Sequence, residues 1–351
     1  MQVSLEYEHG KFIDLELHDV NYFFGPNHTL KWKLYRGIKR FSTGKNLTDL
    51  EEHVYGDDGI AIYCDEKQMK AKELPIYYLD CRESFLKQYQ QGKGNLMDNE
   101  IQSMETFFEV NRGLEKINNE LLTFEVQFSE VFKEKSKYVQ PSLREMTYAD
   151  ITKYFLLLSF FENEETYPVE MMDIEKLIDD YCQLLISELG RTQKVTWLWI
   201  SNPNAFMSKK IFREFLQKVK KIADETGLLK IFILSEDYLS LNYQENDIKS
   251  TILMYDEYQQ LPEFSLFKET IKRHYPDECD QPDERMISQL FRVFPYVGQS
   301  MKKDETIYLR DKDVVLLKVV DELLGYDHFS EFQSNYQPIT ALEEKFLINE
   351  N

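Results

Sequence analysis

The sequence predicts an α/β protein whose core is a mainly parallel sheet with flanking helices. Two short apolar runs, at residues 195–200 and 228–234, carry this prediction. Both are rich in β-branched and aromatic side chains and lack polar alternation, as expected for strands buried on both faces. The segment between them is charged and amphipathic, and a helical crossover is the expected link between parallel strands. This helix is predicted to start after Ser208 and to end before Gly227.

The first part of the chain predicts an antiparallel hairpin and a third strand. Residues 2–8 and 12–17 alternate between apolar and polar side chains, which indicates a hairpin at a sheet edge. Residues 20–24 form the third predicted strand, and a glycine-led loop and a helix follow it. Further short strands are predicted at residues 60–64, 75–80 and 251–255.

A heptad seam then predicts a projecting helical arm. Its apolar side chains recur at spacings of three and four residues, the pattern of a coiled-coil helix. The seam comprises Phe107, Val110, Leu114, Ile117, Leu121, Phe124, Phe128 and Val131. We expect a second helix, from about Ile151 to Phe161, to pack against this seam, with Pro141 between the two.

These features divide the chain into three predicted regions. Residues 1–95 and 190–261 form an α/β head, and residues 96–189 form the helical arm. Residues 262–351 form an added C-terminal helical region. Its amphipathic helices are predicted at residues 264–274, 285–294 and 314–324.

Composition limits the class of protein. The chain has 62 acidic and 42 basic side chains and a net charge of −20, which alone argues against a nucleic-acid partner. The four cysteines lie far apart, so reduced thiols are expected rather than a metal site. No apolar run approaches the roughly 18 residues that cross a bilayer, and Met1 begins a strand pattern rather than a signal-peptide pattern. We therefore expect a cytoplasmic protein with no membrane partner.

The basic charges are nevertheless segregated. No acidic residue occurs from Val20 to Thr48. The basic residues of this segment are Lys31, Lys33, Arg36, Lys39, Arg40 and Lys45. A cationic helix face of this kind is compatible with DNA binding, and it is also compatible with simple solvation.

A cluster of carboxylates follows the second predicted helix of the arm, within residues 162–173. Such groups repel one another unless water or a cation neutralises them, and oxygen-only ligands favour calcium. The spacing is not that of an EF-hand loop, so the sequence leaves open both a solvated acidic turn and a calcium site. The candidate ligands are Glu162, Glu164, Glu165, Glu170 and Asp173.

The segment from Gly25 to Lys31 has the context of a phosphate-binding loop, because it joins a strand to a helix. A working loop needs a second glycine before the lysine and a hydroxyl side chain after it, for magnesium. Leu30 and Trp32 occupy those positions. We therefore expect no bound nucleotide.

This loop resembles the Walker A loop of ATP-binding-cassette and chromosome-maintenance ATPases. Residues 197–205 resemble their Walker B strand, with Ser201 and Asn202 where working enzymes carry aspartate and glutamate. Glu236 stands in place of their switch histidine. Phosphoryl transfer depends on these groups, so the resemblance implies a protein that is not an enzyme. An active ATPase of the cassette class is the alternative.

The order of strand, basic helix and arm is similar to that of the accessory spacer-acquisition protein of type II-A CRISPR systems, in its large version. The segments 161–164 and 200–206 carry the local likeness. The resemblance implies a homotetrameric ring, with the arms in the subunit contacts, that encircles double-stranded DNA and prefers free ends. It also implies calcium binding, and joint action with the CRISPR integrase and the RNA-guided effector nuclease during spacer acquisition, a form of antiviral defence.

The same resemblance implies phosphate contacts from the basic helix, namely Lys31, Lys33, Arg36, Lys39 and Arg40. Weaker candidates are Lys133, Lys135, Lys137, Lys209 and Lys210. A structural adaptor that binds proteins through the heptad seam and ignores DNA is a further alternative.

Overall fold

The computed structural model describes residues 1–44, 47–56, 59–92, 94–299, 309–326 and 339–348. It divides into two compact units. The head unit comprises residues 1–81 and 193–351, and the arm unit comprises residues 82–192. The predicted C-terminal region therefore belongs to the same compact unit as the predicted head.

The head unit contains one antiparallel sheet and one mainly parallel sheet. Strands β1 (Gln2–Glu8), β2 (Lys11–Glu16), β4 (Ile62–Cys64) and β5 (Lys67–Gln68) form the antiparallel sheet, in the order β2-β1-β4-β5. The larger sheet contains β3 (Val20–Phe24), β6 (Ile76–Leu79), β9 (Thr196–Ser201), β10 (Leu229–Leu234), β11 (Thr251–Met254) and β12 (Tyr258–Gln260). Their order is β12-β11-β3-β10-β9-β6, and β12 pairs antiparallel to β11 while the other pairs are parallel.

Helices of the head unit connect these strands and cover them. Their bounds are α1 (His28–Thr43), α2 (Asp49–Tyr55), α8 (Lys209–Thr226), α9 (Glu245–Lys249), α10 (Phe264–His274), α11 (Asp283–Val293), α12 (Asp311–Leu323) and α13 (Ala341–Ile348). The crossover α8 begins where predicted, because the Ser208 side chain accepts a hydrogen bond from the Ile211 N–H. It ends at Gly227, which adopts the left-handed conformation.

Both faces of the parallel sheet are packed, as the apolar strands predict. On one face, Trp199 stacks on Phe232 at a centroid distance of 4.4 Å, and Leu34 of α1 belongs to the same buried cluster. On the other face, Phe291 of α11 lies edge-on to Tyr22 of β3, with centroids 5.7 Å apart. The C-terminal helices thus complete the core.

The arm unit consists of helices and one short hairpin. It contains α3 (Arg82–Lys87), α4 (Leu96–Ser103), α5 (Phe108–Lys133), α6 (Tyr148–Tyr154), β7 (Ser159–Glu162), β8 (Glu165–Pro168) and α7 (Ile174–Thr192). The predicted long partner helix for the heptad seam is wrong. The helix α6 ends at Tyr154, and Phe161 lies in β7, because residues 163 and 164 adopt positive φ angles and turn the chain into a hairpin.

The heptad seam lies on α5, apart from Phe107 at the N-cap, but no residue of this helix is buried. Phe124 and Val131 keep 55% and 63% of their surface exposed. Among the residues that the structure describes, no helix is both long enough and apolar enough to cross a membrane.

Candidate functional site

The glycine-led loop lies at the carboxyl edge of the parallel sheet, directly after β3. Gly25 has φ +110° and passes so close to β11 that a Cβ atom would lie 2.2 Å from the Met254 carbonyl oxygen. The Asn27 backbone N–H then donates to this same carbonyl. The Asn27 side chain caps α1 by accepting from the Leu30 N–H at 2.9 Å. These contacts therefore hold the loop against β11 and at the start of α1.

Lys31 does not lie on the surface. It is 4% exposed, and its Nζ donates a hydrogen bond of 3.0 Å to the backbone oxygen of Ser235, at the end of β10. Burial lowers the pKa of Lys31 to about 8, while the negative charges of Glu236 and Asp237 oppose this shift. The predicted phosphate contact at Lys31 does not fit this position, because its ammonium group is buried and hydrogen-bonded to the protein backbone.

The carboxyl ends of β9 and β10 lie at the same edge of the sheet as this loop, because both strands run parallel to β3. Asn202 has φ +46°, and its Oδ1 accepts from the Glu236 N–H at 3.2 Å. The Glu236 carboxylate in turn lies 2.9 Å from Nδ1 of His28, the first residue of α1. The loop and the two strand ends are thus joined by the chain's own side chains.

This arrangement lacks an available lysine and the hydroxyl side chain with which a phosphate-binding loop binds a nucleotide. In a phosphate-binding loop, the lysine reaches the terminal phosphates and the following hydroxyl side chain holds magnesium. Here the Lys31 ammonium is bound to a carbonyl, and Trp32, which has no hard oxygen ligand, follows it. Glu236 and Asp237 bring negative charge close to the position where a phosphate would lie.

The remaining cations of α1 differ in their partners. Lys33 lies 3.2 Å from Glu8 of β1. Arg40 lies 2.8 Å from Glu51 of α2. Lys39 lies 3.4 Å from Asp80. Arg36, in contrast, has no ion-pair partner within the described part of the chain. The acid-poor segment is therefore partly neutralised by carboxylates that are distant in the sequence.

The weaker basic candidates fall in both units. Lys133 ends α5, and Lys135 and Lys137 follow it, all exposed in the arm unit. Lys209 and Lys210 begin α8 in the head unit and are also exposed. Their exposure leaves them accessible to a phosphate backbone.

The five predicted calcium ligands lie on the hairpin of β7 and β8, including its turn, and in the segment between β8 and α7. Glu162 contacts Lys176, and Asp173 Oδ2 lies 3.1 Å from the same ammonium group. The backbone N–H of Lys176 also lowers the pKa of Asp173, whose side chain caps α7. Glu165 accepts a hydrogen bond from the Tyr167 hydroxyl.

Glu164 lies in the hairpin turn and Glu170 in the 3₁₀ turn Val169–Met171. Among the described residues, no group of three or more acidic, histidine or cysteine side chains is arranged to hold a metal ion. Calcium binding stays a prediction.

Sequence reasoning missed one feature of α1. The guanidinium carbon of Arg36 lies 4.4 Å from the centre of the Trp32 ring and 5.6 Å from that of Tyr55. The signal was available, because Trp32 and Arg36 are four residues apart and share one helix face.

The fold and the site define a mainly parallel α/β protein with a glycine-led loop and a helix at the carboxyl edge of its sheet. No protein-family model and no curated protein matches the chain. Among solved structures, Stu0660 of Streptococcus thermophilus matches with a TM-score of 0.81 at 17% identity, over 99% of this chain and 100% of that chain. At this identity, the likeness shows a shared fold.

Two further solved structures match more weakly. The Smc head bound to the C-terminal winged-helix domain of ScpA gives a TM-score of 0.40 at 7% identity, over 76% of this chain and 98% of that chain. The protein cbiO1 of Clostridium perfringens, part of the ABC transporter complex cbiONQ, gives 0.36 at 10% identity, over 77% and 93%. Because both scores lie below 0.5, only the likeness to Stu0660 bears on the fold.

Proposed function

We propose that this chain is a non-hydrolysing protein that binds double-stranded DNA and its ends without sequence preference. In this proposal it is a cytoplasmic homotetrameric ring that acts with the CRISPR integrase and the RNA-guided effector nuclease in spacer acquisition. The observation that carries its non-hydrolysing part is the hydrogen bond from Lys31 to the Ser235 carbonyl, which takes up the cation that a nucleotide would need.

In this proposal the strand, loop and helix of a phosphate-binding site are present. Its lysine, however, binds the protein's own backbone instead of a phosphate. Binding ATP would require Lys31 to leave Ser235 and the phosphates to approach Glu236. Both changes cost free energy, because a buried carbonyl loses its partner and like charges are brought together.

The DNA-binding part of the proposal rests on the basic helix α1 and on the exposed lysines. Cations that neutralise phosphates release condensed counterions, so log K falls with log salt by about 0.9 per contact. Arg36 contributes most in this view, because no carboxylate competes for it within the described residues. Lys33, Lys39 and Arg40 must exchange a carboxylate for a phosphate.

Calorimetric titration with Mg-ATP tests the loss of nucleotide binding. We expect no heat of binding. A micromolar dissociation constant would instead favour an active ATPase of the cassette class.

Gel-shift titration with linear duplex at low and high salt tests the DNA proposal. The triple variant Lys33→Gln, Arg36→Gln, Arg40→Gln should weaken binding at least about tenfold and reduce the salt slope by about 2 to 3. A matched double variant, Lys221→Gln with Lys312→Gln, removes head-unit lysines outside the predicted set and should bind like the parent. Absence of duplex binding by the parent at low salt would favour the adaptor alternative.

A further inference from the structure

Trp32 is the residue of α1 that neither the core nor the nucleotide argument explains. It keeps 57% of its surface exposed, whereas the other two tryptophans, Trp197 and Trp199, are fully buried. Large aromatic side chains are normally drawn into the core because burial removes their apolar surface from water. An exposed tryptophan on a cationic helix therefore points to a ligand.

The ring is held in a defined position by its neighbour. The Arg36 guanidinium carbon lies 4.4 Å from the centre of the Trp32 ring, the geometry of a cation–π stack. Tyr55 packs beyond the guanidinium at 5.6 Å and is itself buried. Arg36 is therefore fixed by aromatic rings rather than by a carboxylate, and the Trp32 ring is fixed with it.

The chemistry of the surroundings indicates the class of ligand. Arg36 keeps an uncompensated positive charge within the described chain, and Lys33, Lys39 and Arg40 lie on the same helix. A flat ring with an accessible surface beside a cation suits a partner that combines a π-face with negative charge. Nucleobases attached to a phosphate backbone have both properties, and they stack on aromatic and guanidinium planes in single strands.

We propose that Trp32 and Arg36 form a stacking site for an unpaired nucleobase at the end of a DNA duplex. The base stacks on the Trp32 ring, and Arg36 holds the ring and neutralises the adjoining phosphate. This inference rests on the proposed function, because it gives the same helix a second contact with DNA. It explains how a protein without base readout would distinguish a frayed or overhanging end from continuous duplex.

Competition binding with three linear duplexes tests the site. One duplex is blunt, one carries a short dT overhang, and one carries an abasic overhang with the same number of phosphates. We expect the dT overhang to improve affinity about tenfold over the blunt end, and the abasic overhang to give little of this gain. Equal affinity for the dT and abasic overhangs would overturn the inference.

Variants connect the effect to the ring. Trp32→Ala should abolish the preference for the dT overhang, whereas Trp32→Phe should keep most of it, because a smaller aromatic ring still stacks. Tyr138→Ala is the matched control, since Tyr138 is 87% exposed and has the Lys137 ammonium 5.4 Å from its ring centre. A preference that survives in Trp32→Ala would contradict the proposal.

Tryptophan fluorescence separates this inference from the proposed function. A dT strand of about 16 nucleotides should quench the emission of Trp32 and leave the two buried tryptophans unaffected, so Trp32→Phe should show no quenching. Quenching without duplex binding would overturn the proposed function and keep the stacking site. Duplex binding with no quenching by any oligonucleotide would overturn the stacking site alone and leave Trp32 to a protein partner.

Discussion

Lys31 follows the glycine-led loop at the position where a phosphate-binding loop carries its lysine. Its ammonium group is buried and hydrogen-bonded to the Ser235 carbonyl, with the carboxylates of Glu236 and Asp237 acting on it. Burial lowers the pKa of Lys31 to about 8, below the usual value of a lysine in an unfolded chain. The protein therefore bears a cost of keeping this charge buried at neutral pH.

The pH dependence of stability follows from this pKa. Between about pH 8 and 10.5 the unfolded state binds more protons at this position than the folded state, so stability rises with pH there. Relative to Lys31→Met, the wild type should gain about 2 kcal/mol in the free energy of unfolding from about pH 7 to about pH 9.5. Urea unfolding of both proteins at each pH measures this difference, and other titrating groups cancel. A difference that stays constant with pH would show that Lys31 is not buried as a cation.

Gly25 gives a second prediction for a single residue. At φ +110°, with the Met254 carbonyl oxygen 2.2 Å from where a Cβ atom would lie, Gly25→Ala should cost more than about 3 kcal/mol, because strain and a backbone clash act together. Gly227→Ala is the control. Gly227 also has a positive φ, but nothing lies within 4 Å of its Cβ position, so a cost of about 1 kcal/mol is expected. Equal midpoints of urea unfolding for the two variants would contradict the close approach of Gly25 to Met254.

Among the elements, α5 carries an apolar sequence pattern that the described part of the chain leaves unburied. Its heptad seam is apolar, yet none of its residues is buried. Exposed apolar stripes of this length usually mark association surfaces. This agrees with the proposed role of the arm in contacts between subunits.

Charge placed on the seam tests that role. The double variant Phe124→Glu, Val131→Glu should lower the solution mass from tetramer towards monomer, because charges cannot be buried between subunits without a partner. Leu266→Glu, at an exposed position of α10 in the head unit, is the control and should leave the mass unchanged. Light scattering with and without linear DNA and chelator makes the measurement. A tetramer that persists in the seam variant would place the subunit contacts elsewhere.

For the molecule as a whole, the C-terminal helices belong to the core of the head unit. Phe291 of α11 is fully buried, stacks on Tyr243 with centroids 3.5 Å apart, and meets Tyr22 of the central strand β3. A protein that ended near Leu261 would lack Phe291 and would expose the rings of Tyr22 and Tyr243. The C-terminal region is therefore part of the fold of this chain.

Phe291→Ala measures this contribution. The loss of buried surface and the cavity left behind should lower the free energy of unfolding by about 3–5 kcal/mol. Leu266→Ala removes an exposed apolar side chain from α10 and should change it by less than about 0.5 kcal/mol. The midpoint of urea unfolding of each variant measures these two changes. Similar midpoints would mean that α11 folds independently of the sheet.

The sequence by itself determined the α/β class, the parallel pair β9 and β10, and the crossover α8 with its cap at Ser208. These features depend on local periodicity and capping, which a short segment carries within itself. It also showed that the glycine-led loop lacks the second glycine and the hydroxyl side chain of a working phosphate-binding loop, because that comparison concerns residue identities.

Only the tertiary structure determined which partners the charged side chains bind. Lys31 is buried because Ser235, 204 residues away, offers it a carbonyl, and Lys33 meets a glutamate 25 residues away. The C-terminal helices closed the second face of the sheet, where Phe291 contacts Tyr22. Such contacts join segments that are distant in the chain, so their energies depend on packing and on electrostatics in three dimensions, which no local pattern records.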